Sequence, residues 1–543
     1  MHYSIFIDRA EIGFFPYIEN LCFTWIDVCI IYAIPLLLIN KKTFLFFIPY
    51  GILLVYIFAN LCYSRYFFNY LPPSLYLEVG NLNGLSSNIS AAVRPQDLTL
   101  IITSLILICY YIRFHRSMDG IPHRTRLKSF FIIIGIILII VISMIFLSKR
   151  NWPTLKSKFI APYTYATSES NFKFGMIHSN IVQIVTEKKK EYSPQILKEL
   201  QPYFTSNAYT PDESRQNIII ILVESLLSYA TDLKIDGKEM TPNLNKLSKE
   251  AGSYYNNNMT SSIQLGESSD GQFIYLTGLL PNKQGVTIID YFDNTFNAIP
   301  CFLKKKNSST QTQMIIPTTS KMWRQDAMCK KYDIDRLYSR MEYEDASYQE
   351  KWLDDKRLFE YAAQQDKKEK QPFFSLILTS STHTPYNKEH EPCDINFPKE
   401  YSEQLKVYLS NVHYMDKYLG KYMESLKEKG IYDNTMIVIM SDHPVSKEWL
   451  NAEQMPFSLS IPLFIINAPV KIEKESNVPI SQEDVFPTIL DLMGIDSPWR
   501  GVGNSLLTPD SIRQSKTQRE RTDKKQQISD IILNSDYFKE KPI

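Results

Sequence analysis

Net charge and cysteine are both scarce in this sequence of 543 residues. Lys and Arg total 59 against 58 for Asp and Glu, a formal balance of +1, which argues against wholesale nucleic-acid binding. The cysteines number seven. Cys22, Cys29, Cys62 and Cys109 fall in strongly apolar windows, where they read as small apolar side chains. Cys301, Cys329 and Cys393 remain, an odd set, so at most one pair bridges and one thiol stays free; Cys301 with Cys329 is one candidate pair. The chain also lacks an internal repeat.

The chain is too long for one core, which implies two or more domains. Charge is placed unevenly: the first 148 residues are dominated by apolar and aromatic side chains, and the rest has the charge density of a soluble protein. Windows at Asn20–Asn40, Thr43–Tyr63, Leu98–Ile112 and Ser129–Ser148 have the character of membrane spans. The second and fourth are free of charge over roughly 20 residues, the length a hydrocarbon core demands. Lys41 and Lys42 separate the first pair, and Arg113, Arg116, Arg124, Arg126 and Lys128 the second, so both turns read as cytoplasmic. An even number of crossings leaves everything after Lys149 outside the cytoplasm, although Lys149, Arg150, Lys156 and Lys158 pull the other way. The expected layout is a transmembrane domain at 1–148, an extracytoplasmic connector at 149–216 with a charged helical stretch around Glu187 to Leu200, a catalytic domain at 217–508, and a charged mobile tail at 509–543.

From Asn217 onward, strand-like runs alternate with helical patterns: IIIILV, TPNLNKLSKEAG, TQMIIPTTS, YEDASYQEKWLDDKRLFEYAAQQ, FFSLILTSS, a helix near Glu403–Lys429, MIVIMSD and IPLFIINA. Such alternation requires crossover connections, and so predicts an α/β domain with a mostly parallel central sheet covered by helices on both faces.

Chemistry collects where these strands end, as it does in open α/β sheets. NIIIILVE delivers Glu224, and TMIVIMSDHP delivers Asp442 and His443. Taken singly, each has a plain explanation as a helix cap or a satisfied turn. GESSDGQF adds Ser268, Ser269 and Asp270 ahead of an apolar helical run, where a helix N-terminus offers free N–H groups and a positive dipole end to a phosphate. A serine there is inert unless something withdraws its proton, which a divalent metal does. TSSTHTPY offers His383 to bind a phosphoryl oxygen or protonate a leaving alkoxide. KMWRQD offers Trp323 and Arg324, the latter suited to phosphate, with surface packing as the plain alternative.

As an ordered set, Glu224, TPNLNKL, GESSD, KMWRQD, STHTPY, SDH and DVFPTILDLMGI followed by GNSLL resemble the lipoteichoic acid synthase family of the alkaline phosphatase and sulfatase superfamily. The resemblance spans about Asn217 to Leu507, and the loop NLNGLSSNISAAVRPQD is similar too. It implies one divalent ion, Mn²⁺ with Mg²⁺ or Zn²⁺ as alternatives, held by Glu224, Ser268, Asp442 and His443. Ser268 would be the nucleophile, and His383, Trp323 and Arg324 would contact the phosphoryl and head group. It implies a multi-pass bacterial plasma-membrane transferase with an extracytoplasmic catalytic domain. Phosphoglycerol would move from phosphatidylglycerol to a glycan or polyglycerolphosphate acceptor.

This chain departs from the family in three ways: serine stands where threonine is usual, Trp323-Arg324-Gln325 replaces a Trp-x-Arg spacing, and four membrane windows stand against a usual five. Ser269 therefore rivals Ser268, and Gln325 rivals Arg324. Alternatives are a phosphoethanolamine transferase or a non-catalytic receptor or scaffold with the same fold. A true sulfatase fits less well, since no Cys/Ser-x-Pro-x-Arg segment surrounds GESSD.

Overall fold

The computed structural model describes residues 47–67, 92–118, 122–147, 193–204, 217–283, 285–320, 322–340, 352–368, 372–472, 479–509 and 518–540, with isolated positions at 26, 27, 29, 31, 71, 75, 76, 180, 181 and 215. The chain divides into two units, one drawn chiefly from residues before Lys189 and one from residues after it.

The first unit contains helices α1 (Phe47–Phe67), α2 (Leu98–Met118) and α3 (His123–Leu147). They meet the second, third and fourth apolar windows; the first window lies outside the described residues apart from isolated positions. Among the described residues, two helical stretches, Phe47–Arg65 and Pro95–Phe114, are long and apolar enough to cross a membrane, so four crossings are not established. Their apolar side chains face outward: Ile52 and Val55 on α1 and Ile101, Leu105 and Ile112 on α2 are exposed. Buried positions in this unit include Leu61 and Ala92 and also charged and polar side chains, among them Arg65 and Asp97. Arg65 grips Asp97 with both terminal nitrogens, at 2.6 and 2.8 Å, and Asp97 also accepts the Arg94 N–H at 2.8 Å.

The second unit is built on an eight-stranded sheet in the order β10-β4-β9-β8-β1-β7-β5-β6. The strands are β1 (Asn217–Val223), β4 (Tyr254–Thr260), β5 (Gln311–Ile315), β6 (Arg336–Tyr338), β7 (Phe373–Leu378), β8 (Thr435–Ser441), β9 (Ile461–Ile466) and β10 (Ile480–Ser481); a separate hairpin pairs β2 (Lys234–Ile235) with β3 (Lys238–Glu239). The block from β8 to β6 is parallel, and β9 runs antiparallel to both β8 and β4. Every residue of β1 and β8 is buried, the signature of central parallel strands with both faces covered. Successive side chains on β1 point to opposite faces. Ile219, Ile221 and Val223 join a core with Leu358, Phe359, Leu405, Tyr408 and Val412, while Ile218, Ile220 and Leu222 are equally buried on the other side.

Those core partners come from α7 (Asp355–Lys368) and α8 (Glu403–Glu428), which follow α4 (Pro242–Leu247), α5 (Ser268–Thr277) and α6 (Gln325–Lys331) in the chain. TPNLNKL contributes to the frame: Asp416 on α8 accepts the N–H groups of Asn243 and Leu244 at 2.9 and 2.8 Å, capping α4 from outside. A side chain at Gly420 would strike Asn243, which fixes how closely α4 approaches α8.

The tail requires a correction. Residues expected to be mobile form α10 (Gln518–Ser535) and a last turn at Tyr537–Glu540, after α9 (Val485–Leu492). Ile528, Ile531, Ile532, Leu533, Tyr537 and Phe538 are buried. Their three-and-four spacing gives α10 an apolar face despite its charged start. Gln526 donates to the Pro281 carbonyl at 3.0 Å, and buried Lys525 meets Glu483 at 2.7 Å. The charged helix expected around Glu187 to Leu200 is observed as Pro194–Lys198, capped by Ser193; the residues before 193 lie outside the described set. Phe204, just beyond it, packs on Trp499 and Tyr537. Cys301, Cys329 and Cys393 are free thiols, so the candidate Cys301–Cys329 bridge is absent.

Candidate active site

Strand register builds the core of the site. Val223 on β1 lies opposite Ser441 on β8, so the next residues, Glu224 and Asp442, leave the sheet side by side with His443 following. Glu224, Asp442 and His443 offer ligand atoms all within 4.8 Å of one another, and all three side chains are nearly buried. Ser268 opens α5 and brings its hydroxyl to 3.2 Å from both Glu224 Oε2 and His443 Nε2. His443 Nε2 stands 3.4 Å from Glu224 Oε1 and 3.7 Å from Asp442 Oδ2.

The approach of α5 depends on a missing side chain. A Cβ on Gly271 would lie 2.3 Å from the Asp442 carbonyl oxygen, so only glycine lets the helix seat its N-terminus against the end of β8. Glu267, just before the helix, adopts φ 45° and ψ −119°, a region costly for a residue with a Cβ. The loop is held by Asp270, which accepts the Gln264 and Gly266 N–H groups, each at 2.9 Å. Ser269 is buried and donates to the Gly266 carbonyl at 2.7 Å, so its hydroxyl is committed to the loop; Ser268 is the serine that faces the acidic cluster.

Further groups fix the strand ends. Asp442 Oδ1 accepts the Ser225 and His443 N–H groups at 2.9 and 2.8 Å. Gln482 Nε2 donates to the Asp442 carbonyl at 2.8 Å, and the Tyr275 hydroxyl donates to the Ser441 carbonyl at 2.8 Å. Thr379 accepts the Glu224 N–H at 3.0 Å, Thr382 donates to the Glu224 carbonyl, and Tyr408 donates to the Ser225 carbonyl at 3.0 Å. Sequence reading passed over Gln482, Tyr275 and Tyr408; no local pattern marks them, since each acts from a distant element.

The electrostatics are those of acids forced together. Burial alone would raise the Glu224 carboxyl, but the imidazoles of His383 and His443 outweigh it and hold it below the usual carboxylate range. Burial, then the neighbouring Glu224 charge, pushes Asp442 up to about 7. Burial would lower His443, yet Asp442 and Glu224 keep it well above its ordinary value. Two carboxylates, an imidazole and a hydroxyl form a hard-to-borderline oxygen and nitrogen donor set suited to a divalent cation. Burial first and the Glu224 charge second raise Asp442, a cation would compensate both carboxylates, and the residues fit a metal ion.

His383 follows β7, its Nδ1 2.6 Å from the Thr384 carbonyl, which leaves Nε2 as the other ring nitrogen. Burial lowers its pKa, with Glu224 partly offsetting the effect. Its neighbour Thr382 donates to the Glu224 carbonyl, which sets the His383 turn beside the acidic cluster. In the Trp323–Gln325 segment, Trp323 and Arg324 both take left-handed backbone angles, with φ 48° and 51°. The Arg324 guanidinium lies over the Phe292 ring at 4.6 Å. Gln325 is the residue that meets α5: its Nε2 donates at 2.9 Å to Gln272, one helical turn after Ser268.

A mostly parallel sheet with a serine, two carboxylates and a histidine gathered at its strand ends defines a class. The sulfatase family's sequence profile matches residues 216–495, and the chain belongs to that family. A second profile, the lipoteichoic acid synthase N-terminal domain, matches residues 17–185, so both parts of such a synthase are represented in order. A lipoteichoic acid synthase of Staphylococcus saprophyticus is 26% identical over 519 residues, covering 89% of this chain and 78% of that one. One from Staphylococcus aureus is 27% identical over 505 residues, covering 87% and 76%. The crystal structure of the lipoteichoic acid synthase LtaP from Listeria monocytogenes superposes with a TM-score of 0.51 at 22% identity, over 62% of this chain and 98% of that one, which bears out the fold. The chain is thus an enzyme of the sulfatase superfamily, similar over most of its length to lipoteichoic acid synthases.

Proposed function

We propose that this protein is a membrane-anchored phosphoglycerol transferase that uses Ser268 as its nucleophile. The observation that carries this reading is the Ser268 hydroxyl at 3.2 Å from both Glu224 and His443, at the N-terminus of a helix that closes on β8. In the first step Ser268 Oγ attacks the phosphorus of a phosphatidylglycerol head group. The bond from phosphorus to the diacylglycerol oxygen breaks, leaving a phosphoglyceryl ester on Ser268. The proton lost by the serine hydroxyl ends on the diacylglycerol oxygen, and His383 Nε2 is the chain's candidate to carry it. In the second step an acceptor hydroxyl attacks the phosphorus, the bond from phosphorus to Ser268 Oγ breaks, and the acceptor's proton, carried by His383, returns to Ser268.

Glu224, Asp442, His443 and Ser268 would hold the divalent ion, Mn²⁺ with Mg²⁺ or Zn²⁺ as alternatives. When bound, such an ion lowers the pKa of the serine hydroxyl and neutralises charge on the phosphoryl oxygens. The N-terminal end of α5 adds its own N–H groups and dipole to the same oxygens. The acceptor is a glycan or polyglycerolphosphate. The lysine and arginine bias of the loops favours a multi-pass arrangement in a bacterial plasma membrane, with the catalytic unit outside the cytoplasm. The free thiols of Cys301, Cys329 and Cys393 favour this over a phosphoethanolamine transferase, whose soluble domains tend to be rich in disulfides.

In vesicles carrying labelled phosphatidylglycerol, Ser268→Ala should reduce transfer by about 10³-fold or more, whereas Ser269→Ala should cost less than about tenfold. Glu224→Ala should in addition strip the purified protein of divalent metal. Undiminished transfer by Ser268→Ala, or metal content unchanged by Glu224→Ala, overturns the site.

A further inference from the structure

The segment leading into α7 carries no motif that reads as chemistry, yet it is fastened to the His383 loop at several points. Leu353 donates its N–H to the Pro317 carbonyl at 3.0 Å, and its own carbonyl accepts the Ser380 hydroxyl. The Asp355 N–H reaches Ser381 Oγ at 2.9 Å. In return, Asp355 Oδ1 accepts the backbone N–H groups of Ser380 and Ser381 at 2.8 and 3.2 Å. The His383 N–H then closes back on the Ser380 carbonyl at 2.9 Å. The turn that presents the histidine therefore starts on two amides held by one carboxylate.

That carboxylate has no solvent exposure, and burial pushes it up to about 7. A buried acid is costly to keep; here its hydrogen bonds are spent on loop backbone. Beside it, the Trp352 ring meets the His383 imidazole edge-on, with centroids 4.3 Å apart and planes at 81°. An aromatic neighbour at that distance restricts rotation of the imidazole. The remaining freedom is a ring flip that would put Cδ2 in place of Nδ1 at the Thr384 carbonyl, and Nδ1 lies there at 2.6 Å.

We infer that Trp352 and Asp355 are positioning residues for His383: Asp355 fixes the backbone from Ser380 to His383, and Trp352 fixes the ring so that Nδ1 keeps the Thr384 carbonyl. The inference rests on the transferase reading for its kinetic consequence but not for its structural one. Neither residue touches substrate; each acts through the histidine.

The test uses the full chain reconstituted in phosphatidylglycerol vesicles. Trp352→Ala and Asp355→Ala should each lower kcat by about 30-fold with KM for the donor changed less than about threefold, as expected for a displaced proton carrier. Trp352→Phe and Asp355→Asn, which keep an aromatic face and an acceptor oxygen, should restore most of the loss. Nitrogen-15 spectra of histidine-labelled protein, with His383 assigned from its missing signal in His383→Gln, should show one Nδ1–H tautomer in the parent chain and mixed tautomers in Trp352→Ala. An unaltered tautomer in Trp352→Ala overturns the proposal, as does undiminished kcat. If the parent chain transfers nothing from phosphatidylglycerol, the functional reading fails, and the tautomer comparison alone decides this one. Should Asp355→Ala fail to fold, the Trp352 pair of variants decides.

Discussion

The two sides of the active site are made in different ways. Glu224 and Asp442 emerge from neighbouring parallel strands whose register, Val223 against Ser441, brings them together. The register sets the two residues side by side, side chains from neighbouring elements hold the strand ends, and the helix carrying Ser268 approaches them. The Trp323–Gln325 segment has no such frame. Two successive left-handed residues turn the chain, so position in the sequence does not say which side chain faces α5. Arg324, the residue whose chemistry suits phosphate, lies on Phe292, and Gln325 takes the place against Gln272. A sheet edge converts sequence order into geometry directly; a loop does so only through its backbone angles.

If the strand-end side owes its accuracy to close seating of α5, a single methyl should ruin it. Gly271→Ala places a Cβ 2.3 Å from the Asp442 carbonyl oxygen, a backbone atom that cannot swing aside. The helix must then shift. Transfer should fall by about 100-fold, and stability by about 1–3 kcal/mol, read as transfer rate and thermal midpoint of the full chain. Activity within threefold of the parent would mean that the acidic cluster tolerates displacement of α5. The loop side predicts a smaller and more selective effect. Gln325→Ala should raise KM for the phospholipid donor by about tenfold, the worth of one hydrogen bond, while Arg324→Ala should change it less than about threefold. The reverse ranking would assign head-group contact to the guanidinium and return Gln325 to packing.

The same contrast explains how much was legible beforehand. Continuous apolar runs announced β1, β7, β8 and β9, because strands buried on both faces need no polar alternation. The acidic and imidazole side chains at the ends of β1 and β8 followed from position. β4, with the sequence YYNNNMT, escaped notice because only Tyr254 and Met259 are buried in it, and it is recruited by pairing with β9 and not by its own hydrophobicity. The last helix was misjudged for a related reason: its charged first half hid Ile528, Ile531 and Ile532, whose burial depends on surfaces distant in sequence. Trp352 was passed over inside a run that reads as one long helix, whereas the observed helix begins only at Asp355.

The smallest effect separates burial that serves the site from burial that serves the core. Asp366 on α7 lies among β5, β7 and α8, accepting from Gln313 at 2.6 Å and from the Tyr422 hydroxyl. Burial raises its carboxyl to about 6, against an ordinary value of 3.8. The folded chain therefore holds this proton more tightly than the unfolded chain does. Its contribution to stability is fully present below about pH 4 and is lost as pH rises through about 6. Asp366→Asn cannot titrate, so relative to the variant the parent should gain stability on acidification across that window. The slope is at most about 1.4 kcal/mol per pH unit for one proton. Urea unfolding of both full-length chains in detergent at several pH values measures it, and parallel curves would show that Asp366 is already charged in the folded core at pH 4. Transfer per folded molecule should be the same in both proteins, because Asp366 makes its contacts inside the core and not at the strand ends that carry Glu224 and Asp442.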